Sequence, residues 1–209
     1  MRVAGVDGTK NGWVAVVLED GRFAEDHVIS PIESSFNELH DAEVVAIDVP
    51  IGFGPRAADA EARKFLAGAA STVFSTPSRE VLERRYGPGL GISAQAHALG
   101  PRIRHVTNLA PIDDRIREVH PEVSFRAMND GRPLSYRKKS AGGALERVAL
   151  LQHHGIHMDE LGETATAPLD DVLDAAAAAW SAERIALGIA ETLPASPERV
   201  DGMTLCIWY

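Results

Sequence analysis

A chain of 209 residues, 45% of them hydrophobic, is long enough to fill one good core, and its net charge of −9 argues against a protein that coats nucleic acid. A single cysteine, Cys206, excludes an intrachain disulfide and a multi-cysteine zinc site, which suits a reducing cytoplasm. No signal-peptide core follows Met1-Arg2, and the longest apolar stretch, Val172 to Trp180, is broken by Asp174 and too short to cross a bilayer, so a cytoplasmic protein without a membrane partner is expected.

Arg2–Val6 and Trp13–Leu18 are β-branched strand patterns, and Asp7-Gly8 and Asn11-Gly12 between them are hairpin signals. A turn at Glu19-Asp20-Gly21 leads to a third strand, Arg22–Ile29. Pro31–His40 has a helical pattern, with Phe36 and Leu39 apolar. Glu43–Val49 is apolar almost throughout, as a central strand covered on both faces should be. Helical patterns at Ala58–Ala67, Arg79–Tyr86 and Ser93–Arg104, punctuated by Pro and Gly, make residues 56–112 an inserted helical lobe of a single domain. Ile116–Val119 is the candidate fifth strand. Helices follow at Glu122–Met128, Gly143–His154 and Asp170–Ala190, and Met203–Trp208 is a short strand or docked extension. The order predicts an α/β fold: an antiparallel three-stranded meander joined by parallel strands into a mixed five-stranded sheet, flanked by helices.

Acids stand at the ends of these patterns. Asp7 closes the first strand, where it either projects from the sheet or caps its own Asp-Gly turn. Asp48 interrupts an apolar strand, and a carboxylate there is costly unless paired or bound to a metal. Glu118, His120 and Glu122 form E-V-H-P-E, a grouping suited to metal ligation or to a general base over water, although Glu122 also suits the start of a helix. Asp171 and Asp174, three apart, share a face of a first helical turn, and capping alone needs only one of them. Such a cluster is expensive without a cation, so divalent-metal chemistry is the first expectation.

The basic residues concentrate in residues 56–150, with 16 Lys/Arg against 10 Asp/Glu between two acidic flanks. Arg56, Arg63, Arg79 and the Lys138-Lys139 pair are the candidates for holding phosphate or an acidic substrate. His153, His154 and His157 cluster at a helix end where the dipole explains them. The glycine-rich stretch Gly87–Gly91 follows a helix, which is the wrong context for a phosphate loop.

The segments GVDGTKNGW, AIDVPIGF, R-x-x-D-x-x-A-R from Arg56 to Arg63, STVFSTPSR, EVHPE, KKSAGG and DxxDAxAAAW occur in this order over nearly the whole chain. In this the sequence resembles domain-of-unknown-function family 429, described as predicted RNase H-like nucleases. The resemblance implies an RNase H-like fold in which strand-end and helix-borne acids bind two Mg²⁺ or Mn²⁺ ions. By motif, Asp7 is the first-strand acid, Asp48 the central-strand acid, and Asp171 or Asp174 the helix acid. Glu118 and Glu122 have no clear counterpart, and His120 is placed to orient water or substrate. The implied activity is metal-dependent phosphodiester hydrolysis on nucleic acid or another phosphodiester, with a small or structured substrate expected over long duplex DNA. Two alternatives remain: a nucleotide-binding phosphotransferase or ATPase-like protein of the related actin-like core, with Asp7–Thr9 as its phosphate loop, and a non-catalytic binding scaffold. The oligomeric state is not legible.

Overall fold

The three N-terminal strands form as their alternation and turns dictate. In the computed structural model, which describes residues 1–209, β1 (Arg2–Gly8), β2 (Trp13–Glu19) and β3 (Arg22–Ile29) make an antiparallel meander. Asp20 and Gly21, both at positive φ, close its second turn. Further strands β4 (Val44–Ile47) and β5 (Ile116–Glu118) add in parallel beside β1, giving the order β3-β2-β1-β4-β5. This is the mixed five-stranded sheet, flanked by helices, that the order of the sequence patterns predicted.

Both faces of the sheet are covered, which is why β2 is apolar at nearly every position. On one face Val3, Val14, Val16, Val44 and Ala46 pack against α7 (Leu169–Ala186), with α5 (Pro121–Met128) and α6 (Ala141–His153) beside it. On the other, Ala4, Val6, Val45, Ile47 and Ile116 pack with residues of the 56–112 segment. That segment comprises α1 (Ala57–Leu66), α2 (Arg79–Glu83), α3 (Ala94–Ala98) and α4 (Gly100–Leu109). Leu82, Ile103 and Val106 are its contribution to that face. Helix α1 instead packs on Val123 of α5 and on Ile207 and Tyr209 near the C-terminus.

One contact sets the placement of α7. A Cβ on Gly5 would lie 2.0 Å from the Ala179 nitrogen and 2.1 Å from the Ala175 oxygen, so the helix backbone lies directly on β1. The Ala175–Ala179 run keeps the helix side equally bare, and backbone meets backbone where side chains normally intervene.

Several sequence expectations are corrected. Pro31–His40 is not a helix: only Asn37–Leu39 forms a 3-10 turn. Phe36, at φ 52°, leaves helical geometry to bury its ring edge-on against Trp13, 5.4 Å away. The Ser93–Arg104 pattern is two helices, because the chain turns at Leu99 before Gly100-Pro101 opens α4. The tail does form a strand, β7 (Met203–Trp208), and its partner β6 (Thr192–Val200) was unforeseen. Trp208 bridges to Val119, so this hairpin continues the β5 edge.

At the opposite edge, Asp26 of β3 accepts hydrogen bonds from Gly162 N (2.7 Å) and Thr164 N (2.6 Å), fastening the segment that leads into α7. Burial pushes its pKa up, but the Thr164 hydroxyl and the two amides outweigh it and hold it below the usual carboxylate range. Asp26→Ala is expected to cost about 2 kcal/mol at neutral pH by leaving these donors unpaired. Because the folded pKa is depressed, this contribution is present above about pH 4 and lost as pH falls through the folded value. Urea unfolding of both proteins at pH 7 and at steps below about pH 4 checks this: the gap should narrow progressively as pH falls.

Candidate active site

Strand parity decides which acids meet. Side chains alternate across a strand, so Asp7 shares the α7 face with Val3 and Gly5, and Asp48 shares it with Val44 and Ala46. The Asp48 amide donates to the Val6 carbonyl at 3.0 Å, which keeps both acids in the parallel register at the same end of the sheet. The close seat of α7 on Gly5 brings Asp174, in its second turn, over them. Asp171 lies one turn earlier at the rim. All four line a cleft of about 670 Å³ together with His120, Glu122, Lys138, Lys139 and Arg102.

The electrostatics are those of too many carboxylates in too little water. Burial, then Asp48 and Asp174, push the Asp7 pKa well up. Burial raises Asp48 to about 7, with Lys138 pulling it back and Glu118 and Glu122 adding to the rise. Asp174 is raised to about 7 by burial, again against the pull of Lys138. Asp171 is raised by burial and by Asp170. One side-chain oxygen of Asp174, Oδ1, is buried without a hydrogen-bond partner.

The cation present among these acids is Lys138, whose ammonium donates to Asp174 Oδ2. Asp174, Asp7 and Asp48 raise its pKa against the opposing effect of burial, so it stays charged. The KKSAGG motif explains how it reaches this position. The Ser140 hydroxyl caps α6 by accepting from Gly143 N at 3.0 Å and donates to the Arg137 carbonyl at 2.8 Å. A Cβ on Gly143 would lie 2.1 Å from that same carbonyl, so only glycine lets the loop fold back tightly enough to aim Lys138 inward. Lys139 also lines the cleft and acts on Asp171.

Glu118 also lines this cleft, with Arg56 and Asp59, but its carboxylate is turned to a different partner. It pairs with Ile47 and follows Ile116, both on the opposite face of the sheet. There Arg56 holds it bidentately, at 2.5 Å to Oε2 and 2.7 Å to Oε1, while its Oε2 also accepts the Ile51 amide. Arg56 donates further to Asp59 and to the Ile51 carbonyl. Its guanidinium is therefore spent inside the fold and not offered to phosphate. Arg63 is likewise engaged, with Val73 O and Ser75 Oγ, and Arg79 lies over the Phe53 ring at 4.3 Å. Glu122 stands at the edge of the cleft, paired with Arg147 at 2.5 Å. His120 is held below its ordinary pKa by burial; its Nε2 faces the Thr72 carbonyl and its Nδ1 has no partner.

Arg102 of α4 was not foreseen. It donates to the carbonyls of Thr9 and Gly12, bracing the loop that follows Asp7, while burial lowers its pKa and Asp7 and Asp171 oppose that shift. No local pattern announces it, since an arginine in a polar-looking helix is ordinarily solvated.

The donor set around Asp174 is hard oxygen, matched to Mg²⁺ or Mn²⁺, and the orphaned Oδ1 is the atom such an ion would satisfy. No three His, Cys, Asp or Glu side chains form a ready-made cage. With Lys138 as the resident counter-charge, the carboxylates have no reason to converge on one point.

A family model described as "Protein of unknown function (DUF429)" matches residues 5–199. No match was found among the curated proteins. Among solved structures, "Thermus thermophilus RuvC structure" is similar over 90% of this chain and 98% of its own, with TM-score 0.42 and 16% identity.

Proposed function

The chain belongs to the DUF429 family, and within it we propose that the site built on Asp7, Asp48 and Asp174 performs divalent-metal-dependent hydrolysis of phosphodiester bonds, as in a nuclease. The observation that carries this reading is the imbalance of charge: acids from two parallel strands and a helix share one cleft, with one buried carboxylate oxygen unpaired. Mg²⁺ or Mn²⁺, one ion or two, would be held by Asp7, Asp48 and Asp174, with Asp171 and Glu122 at the rim. A bound divalent cation supplies Lewis acidity toward water and a phosphoryl oxygen.

The chain's own residues then have distinct tasks. Asp174 and its Lys138 partner fix the helix side of the cleft, and Lys139 attracts the phosphate. Burial favours the neutral form of His120, and with its Nε2 facing the Thr72 carbonyl its unpartnered Nδ1 is the nitrogen left to serve as a base. Glu118 and Arg56 act at a remove by holding the chain that follows Asp48.

A phosphate-loop role for Asp7–Thr9, as an ATPase-like reading requires, has less support. The Gly8 amide is already used by Asp7 Oδ1 at 2.7 Å and the Thr9 amide by the Gly12 carbonyl at 3.0 Å.

Calorimetric titration with Mn²⁺, paired with an assay on labelled oligonucleotides, tests the proposal. The wild type should bind Mn²⁺ and cleave, Asp48→Asn should lose both, and EDTA should abolish cleavage. Cleavage undiminished in EDTA, or Mn²⁺ binding unchanged in the variant, would overturn it.

A further inference from the structure

Beside the acidic cleft lies a second chamber of about 540 Å³, and its charge is opposite. The two share Lys138, Glu122, Ser71 and Thr72, so they are continuous around the Lys138 side chain. Arg126, Arg137 and Arg147 line the chamber, against Glu122 as its acid. Two of these cations are already committed, Lys138 to Asp174 and Arg147 to Glu122. Arg126 donates only to the carbonyls of Gly131 and Leu66, and exposed Arg137 forms no ion pair. Two guanidinium charges are thus left without a counter-ion in the chamber that adjoins the cleft, an arrangement suited to phosphate oxygens.

The same chamber holds a fixed aromatic ring. Tyr136 is 60% exposed, yet its backbone is not loose. Glu146 accepts the Ser135 amide at 2.8 Å and the Tyr136 amide at 3.1 Å, pinning both residues to α6. The ring rests against Gly142, where a Cβ would come within 2.9 Å of it. An exposed tyrosine costs little to bury later and presents a flat apolar face with few torsions to freeze. Held this firmly beside uncompensated arginines, it has the features of a stacking platform.

We infer that this chamber seats the nucleotide adjoining the scissile bond, its base on the Tyr136 ring and its phosphate on Arg137 and Arg126. The inference rests on the phosphodiesterase reading of the neighbouring acids and narrows it, because a base can lie on Tyr136 only when it is out of a duplex stack. The substrate class is therefore single-stranded or splayed nucleic acid, with duplex excluded at this position.

Binding without catalysis isolates the chamber. A short fluorescein-labelled oligothymidylate, in EDTA, is titrated by anisotropy with wild type, Tyr136→Ala, Arg137→Ala and Arg22→Ala, an exposed cation at the start of β3, at the sheet end away from Asp7. Both chamber variants replace exposed side chains, so folding is preserved. Each should weaken binding about tenfold or more, Arg22→Ala should not, and a blunt duplex of the same length should bind more weakly than the single strand. Wild-type affinity in both chamber variants, or duplex binding equal to single-strand binding, would overturn the inference. The hydrolysis reading fails separately: a wild type that cleaves nothing with Mn²⁺ but keeps Tyr136-dependent binding would refute hydrolysis and support the chamber.

Discussion

Asp7→Asn is expected to abolish hydrolysis, by about 10³-fold or more, while making the protein harder to unfold. The two effects have one cause. Asp7 is nearly buried and faces Asp48 and Asp174, so its negative charge is useful to a bound cation and costly without one. Asparagine keeps the oxygen that accepts the Gly8 amide and removes the repulsion. The pH dependence follows from the direction of the shift. An acid whose folded pKa is raised binds its proton more tightly folded than unfolded, so stability falls as pH climbs from about 4 toward the folded value. The advantage of Asp7→Asn should thus vanish below about pH 4, grow through the acid range and level off once the site is deprotonated. Melting temperatures across pH without metal would show this, at about 2–4 °C for each kcal/mol relieved. An unaltered rate in Asp7→Asn would remove Asp7 from the chemistry.

The opposite outcome is expected on the other face of the sheet. Glu118→Ala should destabilise the fold by about 3–5 kcal/mol, a large share of the total stability typical of a domain. Arg56 and Glu118 are 2% and 3% exposed at the side chain, and deletion of the carboxylate leaves a guanidinium with Asp59 as its remaining acid. The Ile51 amide also loses its acceptor. Asp59 in turn accepts the Thr76 amide at 2.7 Å, so the cluster ties β5, the chain after Asp48, α1 and the STVFSTPSR segment at one point. Glu118→Gln should cost less, since it can still accept the Ile51 amide. Arg56→Lys should not rescue, because an ammonium cannot reproduce the two-pronged contact. Guanidinium unfolding measures the loss. If Glu118 were instead a ligand, Glu118→Ala would weaken Mn²⁺ binding and leave unfolding unchanged.

The acids and the sheet order were legible because both depend on short-range pattern: turn pairs after β1 and β2, an apolar run through β4, and a doubled aspartate before an alanine tract. That Glu118 reaches the cleft from the opposite strand face, already paired with Arg56, was not legible, because strand parity is fixed only once β4 and β5 are paired. Strand β6 was hidden because Pro194 and Pro197 argue against a strand, yet a two-stranded hairpin at a margin tolerates them. Arg56 read as a free cation because sequence reports charge but not that Glu118 and Asp59 neutralise it, whereas Arg63 and Arg79 make only neutral contacts. Tyr136 and Arg102 carried no pattern at all; their roles depend on Glu146 and on the Thr9 and Gly12 carbonyls, partners far away in the chain.

The bare seat of α7 on Gly5 also bears on when the site comes apart. Amides in the most tightly packed elements exchange with solvent only through the largest openings of a protein, while margins open often and independently. The helix buries every residue from Val172 to Ala182 and touches the central strand backbone to backbone. Fraying of the C-terminal hairpin or of the short helices α2 and α3 therefore leaves Asp7 and Asp174 in register. The carboxylates belong to the last part of the molecule to open, so loss of their geometry should coincide with global unfolding.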